Sequence, residues 1–303
     1  MTLIELIESG AQQLLDANVS FGHGTTNAFD ESAWLVLWAL GLPLGTQLDG
    51  EDSKANTTVA LVDTEKVATL FRARIQTRKP AAYLTHEAWL QGVAFYVDER
   101  VIVPRSLIAE LIVDGSIDYW LKASTHTVLD LCTGNGSLAI LAAMTYPDVV
   151  VTGSDLSADA LAVARINVDK HGLQDRIALV ESDGLTAPAL VTRGPFDLIL
   201  CNPPYVNAQG MADLPAEYKA EPAMALSGNQ AGGSDGMGFE RLADHRPERQ
   251  VGDVMVVHHV EMDPVGTCGD DVGELGAQPG KVCRKNRRCN TVGHACGFGN
   301  IDG

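Results

Sequence analysis

Apolar positions recur at helical spacing over the first 80 residues, then give way to short apolar runs separated by helical segments. Leu3, Ile7, Ala11 and Leu14 form one stripe, and Thr2 with Glu5 fits a capping box in front of it. Asp30 is expected to cap a second helix through Trp34, Leu37 and Trp38, with Gly41 at its end and Pro43 beyond. A third is expected to open at Thr64 and run through Val67, Leu70, Phe71 and Ile75 until Pro80 stops it. The segment GVAFYVDERVIV, residues 92–103, predicts two short strands around Asp98-Glu99, a hairpin linking the helical part to the next unit.

From Thr127 the pattern becomes strand, helix, strand, helix. THTVLDL, VVVTGSD, IALVES and FDLILC read as strands, SLAILAAM as a helix, and SADALAVARINVDKHG as a helix capped by Ser157 and closed by Gly172. Such alternation predicts an α/β fold, a Rossmann-like parallel sheet with right-handed crossovers, in which ligands bind beyond the carboxyl ends of strands.

Composition changes this picture at one place. Residues 1–238 hold 31 leucines and the remaining 65 only two, while four of the six cysteines (Cys268, Cys283, Cys289, Cys296) fall in that last part. A segment so poor in leucine and rich in glycine is not expected to pack a core of its own. VMVVHHV, residues 254–260, is the one strand-like run there, and the last strands of the sheet are therefore doubtful. The tail cysteines and His294 contain no C-x2-C pair, so no metal site is expected. The formal charge of −17 lies almost wholly in residues 1–238, which carry 14 basic and 29 acidic side chains. This opposes phosphate-backbone binding and suits a basic partner. With no long apolar run and no basic leader, neither membrane insertion nor secretion is expected, and the compartment is expected to be the cytoplasm.

The candidate chemistry sits at strand ends. Asp130-Leu-Cys-Thr-Gly134-Asn-Gly136 leaves the first strand for a helix, and the two glycines permit a sharp turn and close ligand approach. Asp155 ends the second strand, 21 residues after Gly134, where a carboxylate accepts both ribose hydroxyls. A dinucleotide and S-adenosylmethionine compete for this loop, since Gly134 to Ala139 also satisfies G-x-G-x-x-A. Asp130 favours the methyl donor: an acid there suits a cationic methionyl end and repels a pyrophosphate. Asp183, after the third strand, is placed to accept from an adenine amine.

Asn202-Pro203-Pro204-Tyr205 follows the apolar strand FDLILC, 72 residues after Asp130. The prolines end the strand and fix the chain direction. The Asn202 side-chain carbonyl and the Pro203 main-chain carbonyl are two fixed acceptors for a planar NH2 group. Tyr205 offers an aromatic wall beside a methylsulfonium. An amide nitrogen is a poor nucleophile, so the work required is orientation, and no histidine lies near the motif in sequence.

LDLCTGNGSLAI followed by FDLILCNPPYV resembles the HemK-type class I methyltransferases, which methylate glutamine side-chain amides in proteins. VPRS-x-IAEL, with Pro104, Arg105, Ser106 and Glu110, is similar to the branch acting on the third large-subunit ribosomal protein. So is DLPAEYKAEPAMAL, through Glu217, Tyr218, Glu221 and Pro222. The resemblance implies a helical substrate-binding domain over 1–91, a hairpin linker over 92–103 and a class I methyltransferase domain over 104–238. It implies that Gly134, Gly136, Asp155, Asp183 and Asn202 contact the donor, while Asn202, Pro203, Pro204 and Tyr205, with Arg105, meet the glutamine. Asn135 stands where the family more often has Ser or Thr. Residues 239–303 depart altogether, as a shifted reading frame or a diverged replacement would. Two other functions remain open on the sequence alone: methylation of an exocyclic amine in nucleic acid, which the same tetrad serves, and an inactive relic.

Overall fold

A computed structural model describes residues 1–228 and the strand Val251–Val256. The expected tail lies outside these residues apart from that strand.

Three helices build the N-terminal part: α1 (Leu3–Asp16), α2 (Ala28–Ala39) and α3 (Leu61–Thr77). Thr2 and Glu5 form the capping box, with Thr2 N donating to Glu5 Oε2 at 2.8 Å and Glu5 N to Thr2 Oγ1 at 3.3 Å. Asn27, and not Asp30, caps α2: its Oδ1 accepts from Asp30 N, and Asp30 returns a carboxylate to Asn27 Nδ2. Nor does Thr64 open α3, which starts at Leu61. Thr64 lies inside the first turn, and its hydroxyl donates to the Ala60 carbonyl one turn back. At Gly10 the three helices pack closely, because a Cβ there would stand 2.3 Å from Phe71 and 2.5 Å from Ser32 Oγ.

The short helix α4 (Ala81–Thr85) leads to β1 (Ala88–Leu90) and β2 (Val93–Phe95), an antiparallel pair turned at Gln91-Gly92. Both turn residues have positive φ, as a tight two-residue hairpin requires. The hairpin therefore lies several residues earlier than 92–103 predicts. Beyond it, Val97, Val101 and Val103 are buried without a ladder, and Asp98 closes a turn by accepting from Arg100 N. Their burial against the helical core imitates strand alternation.

Helix α5 (Leu107–Val113) precedes the sheet. Its elements are β3 (Thr127–Leu131), α6 (Ser137–Thr145), β4 (Val150–Asp155), α7 (Ala158–Lys170), β5 (Ile177–Glu181), α8 (Pro188–Arg193) and β6 (Phe196–Cys201). Strand β7 (Val251–Val256) lies beside β6, in the order β5-β4-β3-β6-β7. The pairings β3–β4, β3–β6 and β4–β5 are all parallel. Strand order reverses at β3, which opens a crevice at its carboxyl end. Among the described residues no helix is long and apolar enough to cross a membrane.

After β6 come three short helices, α9 (Ala208–Asp213), α10 (Ala216–Lys219) and α11 (Ala223–Leu226). This strap carries Glu217 into the helical part. Arg74, fully buried on α3, donates to Glu31 Oε1 (2.8 Å), to Glu217 Oε1 (3.4 Å) and to the Ser20 carbonyl (2.9 Å). Arg78 adds a 2.8 Å contact to the same Glu217 oxygen. Burial pushes the Glu31 carboxyl up despite the opposing charge of Arg74. Arg74→Ala leaves the buried Glu31 without its ion-pair partner, while Glu217 keeps Arg78, and is expected to cost about 3–5 kcal/mol in urea unfolding. Lys66→Ala, which removes a surface pair with Asp63, is expected to cost less than about 1 kcal/mol in the same experiment.

Candidate functional site

The carboxyl ends of the four parallel strands bring the expected residues to one edge in a fixed order. Asp183 follows β5, Asp155 ends β4, the glycine loop follows β3, and Asn202 follows β6. Three inter-strand spacings separate the first from the last, about 14 Å.

The loop is held from several sides. Gly134 N donates to Asp155 Oδ2 at 2.8 Å, and Ser157 N to Asp155 Oδ1 at 2.9 Å. Burial pushes the Asp155 carboxyl up, against these backbone donors. Gly134 has φ 56°, and a Cβ there would meet nothing within 4 Å, so its outer face is open to a ligand. Gly136, at φ 82°, serves packing instead: a Cβ would stand 3.3 Å from Ala164 on α7. Asn167, also on α7 and fully buried, donates to the Asn135 carbonyl and pairs both ways with the Tyr96 backbone. The cofactor loop is thus tied to the segment after the hairpin.

Asp130 is completely buried. Its Oδ2 accepts from Thr133 Oγ1 (2.5 Å) and Ala139 N (3.0 Å), and so caps the start of α6. Its Oδ1 has no partner, and neither does Asn135 Nδ2. Burial raises the Asp130 pKa to about 7 despite those two donors. An orphaned acidic oxygen under an open glycine turn fits the ammonium end of S-adenosylmethionine, whereas a pyrophosphate would be repelled. The residues present fit this donor. Asp183 is exposed at the far end of the row.

At the acceptor end Pro203 is buried, Asn202 and Pro204 are half-buried, and Tyr205 is 42% exposed. Val206 N donates to the Leu226 carbonyl (2.9 Å) and Gly228 N to the Val206 carbonyl (3.0 Å), so the strap returns to the tetrad it left. Arg105 does not offer its fork to the crevice. Both its terminal nitrogens are taken by Glu221, at 2.8 and 2.6 Å, and its guanidinium lies 5.2 Å from the centre of the Tyr218 ring. Burial alone would lower the Arg105 pKa, but the Glu221 hydrogen bonds and charge carry it above its ordinary value, with smaller contributions from Tyr218 and Tyr205. Reciprocally, burial would raise the Glu221 carboxyl, yet Arg105 and His23 hold it down at about 2.

Sequence reasoning missed His23, Arg74 and Asn167. His23 is buried, packs on Tyr218 with ring centres 4.2 Å apart, and stands 3.6 Å from Glu221. Only Gly22, at φ 124°, hinted at a close approach: a Cβ there would strike the Tyr218 hydroxyl at 2.2 Å.

An acid whose folded pKa is raised binds its proton more tightly in the native state, so stability falls as pH rises from the unfolded value toward 7. Asp130→Asn is expected to remove this slope in thermal melts. At about pH 8 the variant should melt higher than the parent, and at about pH 4 the two should coincide. Calorimetric donor binding should weaken about 10-fold or more in the same variant.

Comparison with known proteins extends the geometry. Residues 117–220 match the family model described as methyltransferase small domain. Curated relatives named ribosomal protein uL3 glutamine methyltransferase share high identity with this chain. The Burkholderia pseudomallei protein is 48% identical over 246 residues, covering 79% of this chain and 77% of the relative. That of Bordetella pertussis is 46% identical over 243 residues, with the same coverage. That of Bradyrhizobium diazoefficiens is 43% identical over 248 residues, covering 80% and 74%. With its parallel sheet, its glycine loop and these relatives, the chain belongs to the family of ribosomal protein uL3 glutamine methyltransferases, class I enzymes whose cofactor is S-adenosylmethionine.

Proposed function

We propose that this chain methylates the side-chain nitrogen of a glutamine in ribosomal protein uL3. The observation that carries the reading is the Asn202–Tyr205 tetrad at the end of β6, beside a glycine loop with an unpaired buried carboxylate oxygen. A glutamine amide nitrogen is neutral and its lone pair is delocalised, so it reacts only when oriented. The Asn202 side-chain carbonyl and the Pro203 main-chain carbonyl accept its two N–H groups and turn its face toward the donor. Pro204 keeps that carbonyl fixed, and Tyr205 walls the site and favours positive charge beside it. The cofactor supplies a methyl group on a positively charged sulfur. The product amide has one N–H fewer, and neither acceptor is basic enough to keep the lost proton, which passes to water. Asp155 holds the ribose, Asp183 the adenine amine, and Asp130 with Gly134 the methionyl end. Arg105 acts on the acceptor side through Glu221 and not by touching substrate.

Residues 1–91 serve as the substrate-binding part, in the cytoplasm. Supporting this, residues 1–53 contain eight acids and no Lys or Arg. They also supply most of an open groove of about 370 Å3 lined by Phe29, Asp30, Trp34, Leu37 and Leu48, with Trp89 across it. A basic ribosomal protein complements such a surface, whereas a nucleic acid is opposed by it. Residues 104–238 form the methyltransferase domain, and residues 239–303 a shifted frame or replacement.

Incubation with methyl-labelled donor and unassembled uL3 is expected to place label on a glutamine; label elsewhere or none overturns the reading. Asn202→Ala is expected to lower kcat about 100-fold or more, with a much smaller loss of donor affinity by calorimetry. Raising ionic strength from about 0.05 to about 0.3 M should raise KM for uL3 several-fold and leave donor affinity nearly unchanged. Sequencing the gene around codon 238 checks the tail: a one- or two-nucleotide shift should restore a family-like C-terminus.

A further inference from the structure

Residues 206–228 leave the acceptor tetrad and come back to it. Val206 bridges Ser227 in parallel register, and the Gly228 Cα lies so near the tetrad that an added Cβ would stand 3.3 Å from the Pro204 carbonyl oxygen. Between these ends the strap buries Glu221 against the segment that joins the helical part to the sheet. Its side chain is fully buried and its two oxygens meet three donors: Val103 N at 2.9 Å and the two terminal nitrogens of Arg105. His23 and Tyr218 pack around the pair. Glu221 has no surface left for substrate or donor, and it can bear on the proposed methyl transfer only through what it holds in place. Its distinguishing property is mechanical. It is the ionised anchor of a strap whose other end is hydrogen-bonded directly behind Pro204 to Val206.

We propose that Glu221 is a positioning residue for the acceptor tetrad, acting through Arg105 and the 206–228 strap. The inference rests on the glutamine methyltransferase reading above. A bidentate fork fixes distance and angle together, which a single neutral hydrogen bond does not. Loosening the strap by even about 1 Å misaligns the two carbonyls that hold the amide, and misplacement of that size costs as much as about 100-fold in rate.

Glu221→Gln keeps the size and one acceptor but loses the charge and the fork. It is expected to lower kcat about 10- to 100-fold at temperatures well below its melting point, with KM for uL3 changed less than about threefold. Donor affinity should match the parent, which certifies a folded cofactor half. Hydrogen exchange at the Val206 and Gly228 amides should accelerate while the amides of β3 and α6 keep their protection. Arg105→Lys, which keeps the charge and loses the fork, should give an intermediate loss of kcat. It serves as the test if the glutamine variant does not fold. A kcat within twofold of the parent in either folded variant, or unchanged exchange at Val206 and Gly228, overturns the inference. Failure of the parent itself to label glutamine in uL3 instead overturns the functional reading.

Discussion

Arg74 has no water around it, and the rest of the architecture depends on where its charge is met. A buried guanidinium is tolerated only with carboxylate and carbonyl partners in good geometry. One carboxylate, Glu31, comes from the neighbouring helix, but the other, Glu217, comes from a strap that follows the last of the four contiguous sheet strands. The helical part thus supplies one counter-charge itself, and the strap supplies a second carboxylate that Arg74 shares with the half-buried Arg78. That shared contact joins two sequence segments 143 residues apart.

The same need for partners fixes the cofactor side. Asp155 directs both oxygens at backbone N–H groups, one of them Gly134, and Asn167 holds the Asn135 carbonyl from the opposite side. A glycine-rich loop is entropically costly to order. Here that cost is offset by side chains of β4 and α7, before any ligand arrives. Asp130 is the exception, because one oxygen stabilises α6 and the other is left bare in a water-poor place. A carboxyl that titrates near 7 when alone is poised to gain most from a cationic partner. On the proposed donor-binding role of Asp130, the site is destabilised where it binds and held rigid around that point.

Much of this was legible in the sequence, and the limits have physical reasons. Strands alternating with helices, and the glycine loop and tetrad at strand ends, are local patterns, and local patterns survive folding. The hairpin was misplaced because Val97, Val101 and Val103 alternate as a strand does, while their burial comes from the helical core and not from a ladder. Asn27 and Asp30 are both good caps three residues apart, and only the backbone decides between them. Only the resemblance places Arg105 with the substrate; the carboxylate that takes its fork lies 116 residues further on, where no local pattern announces it. His23 carried no periodicity or motif at all. Interactions between distant segments leave no mark in a single sequence unless a glycine such as Gly22 betrays a close approach.

The internal pairings also sharpen the meaning of the negative charge. Arg74, Arg78 and Arg105 are turned inward onto Glu217, Glu31 and Glu221, and Arg176 donates to the carbonyls of Ala143, Tyr146 and Val149. These cations do not face a partner. Removing them and their acidic mates from the count leaves the outward set richer in carboxylates relative to bases than the whole chain is. A phosphate backbone approaching this surface would find few cations to replace its counterions. A lysine-rich protein would find complementary charge at long range and an apolar groove at short range. On the proposed function, encounter falls to acids on the surface and alignment of the amide to carboxylates that no solvent reaches. That reading divides the two tasks between different sets of acids within one acidic chain.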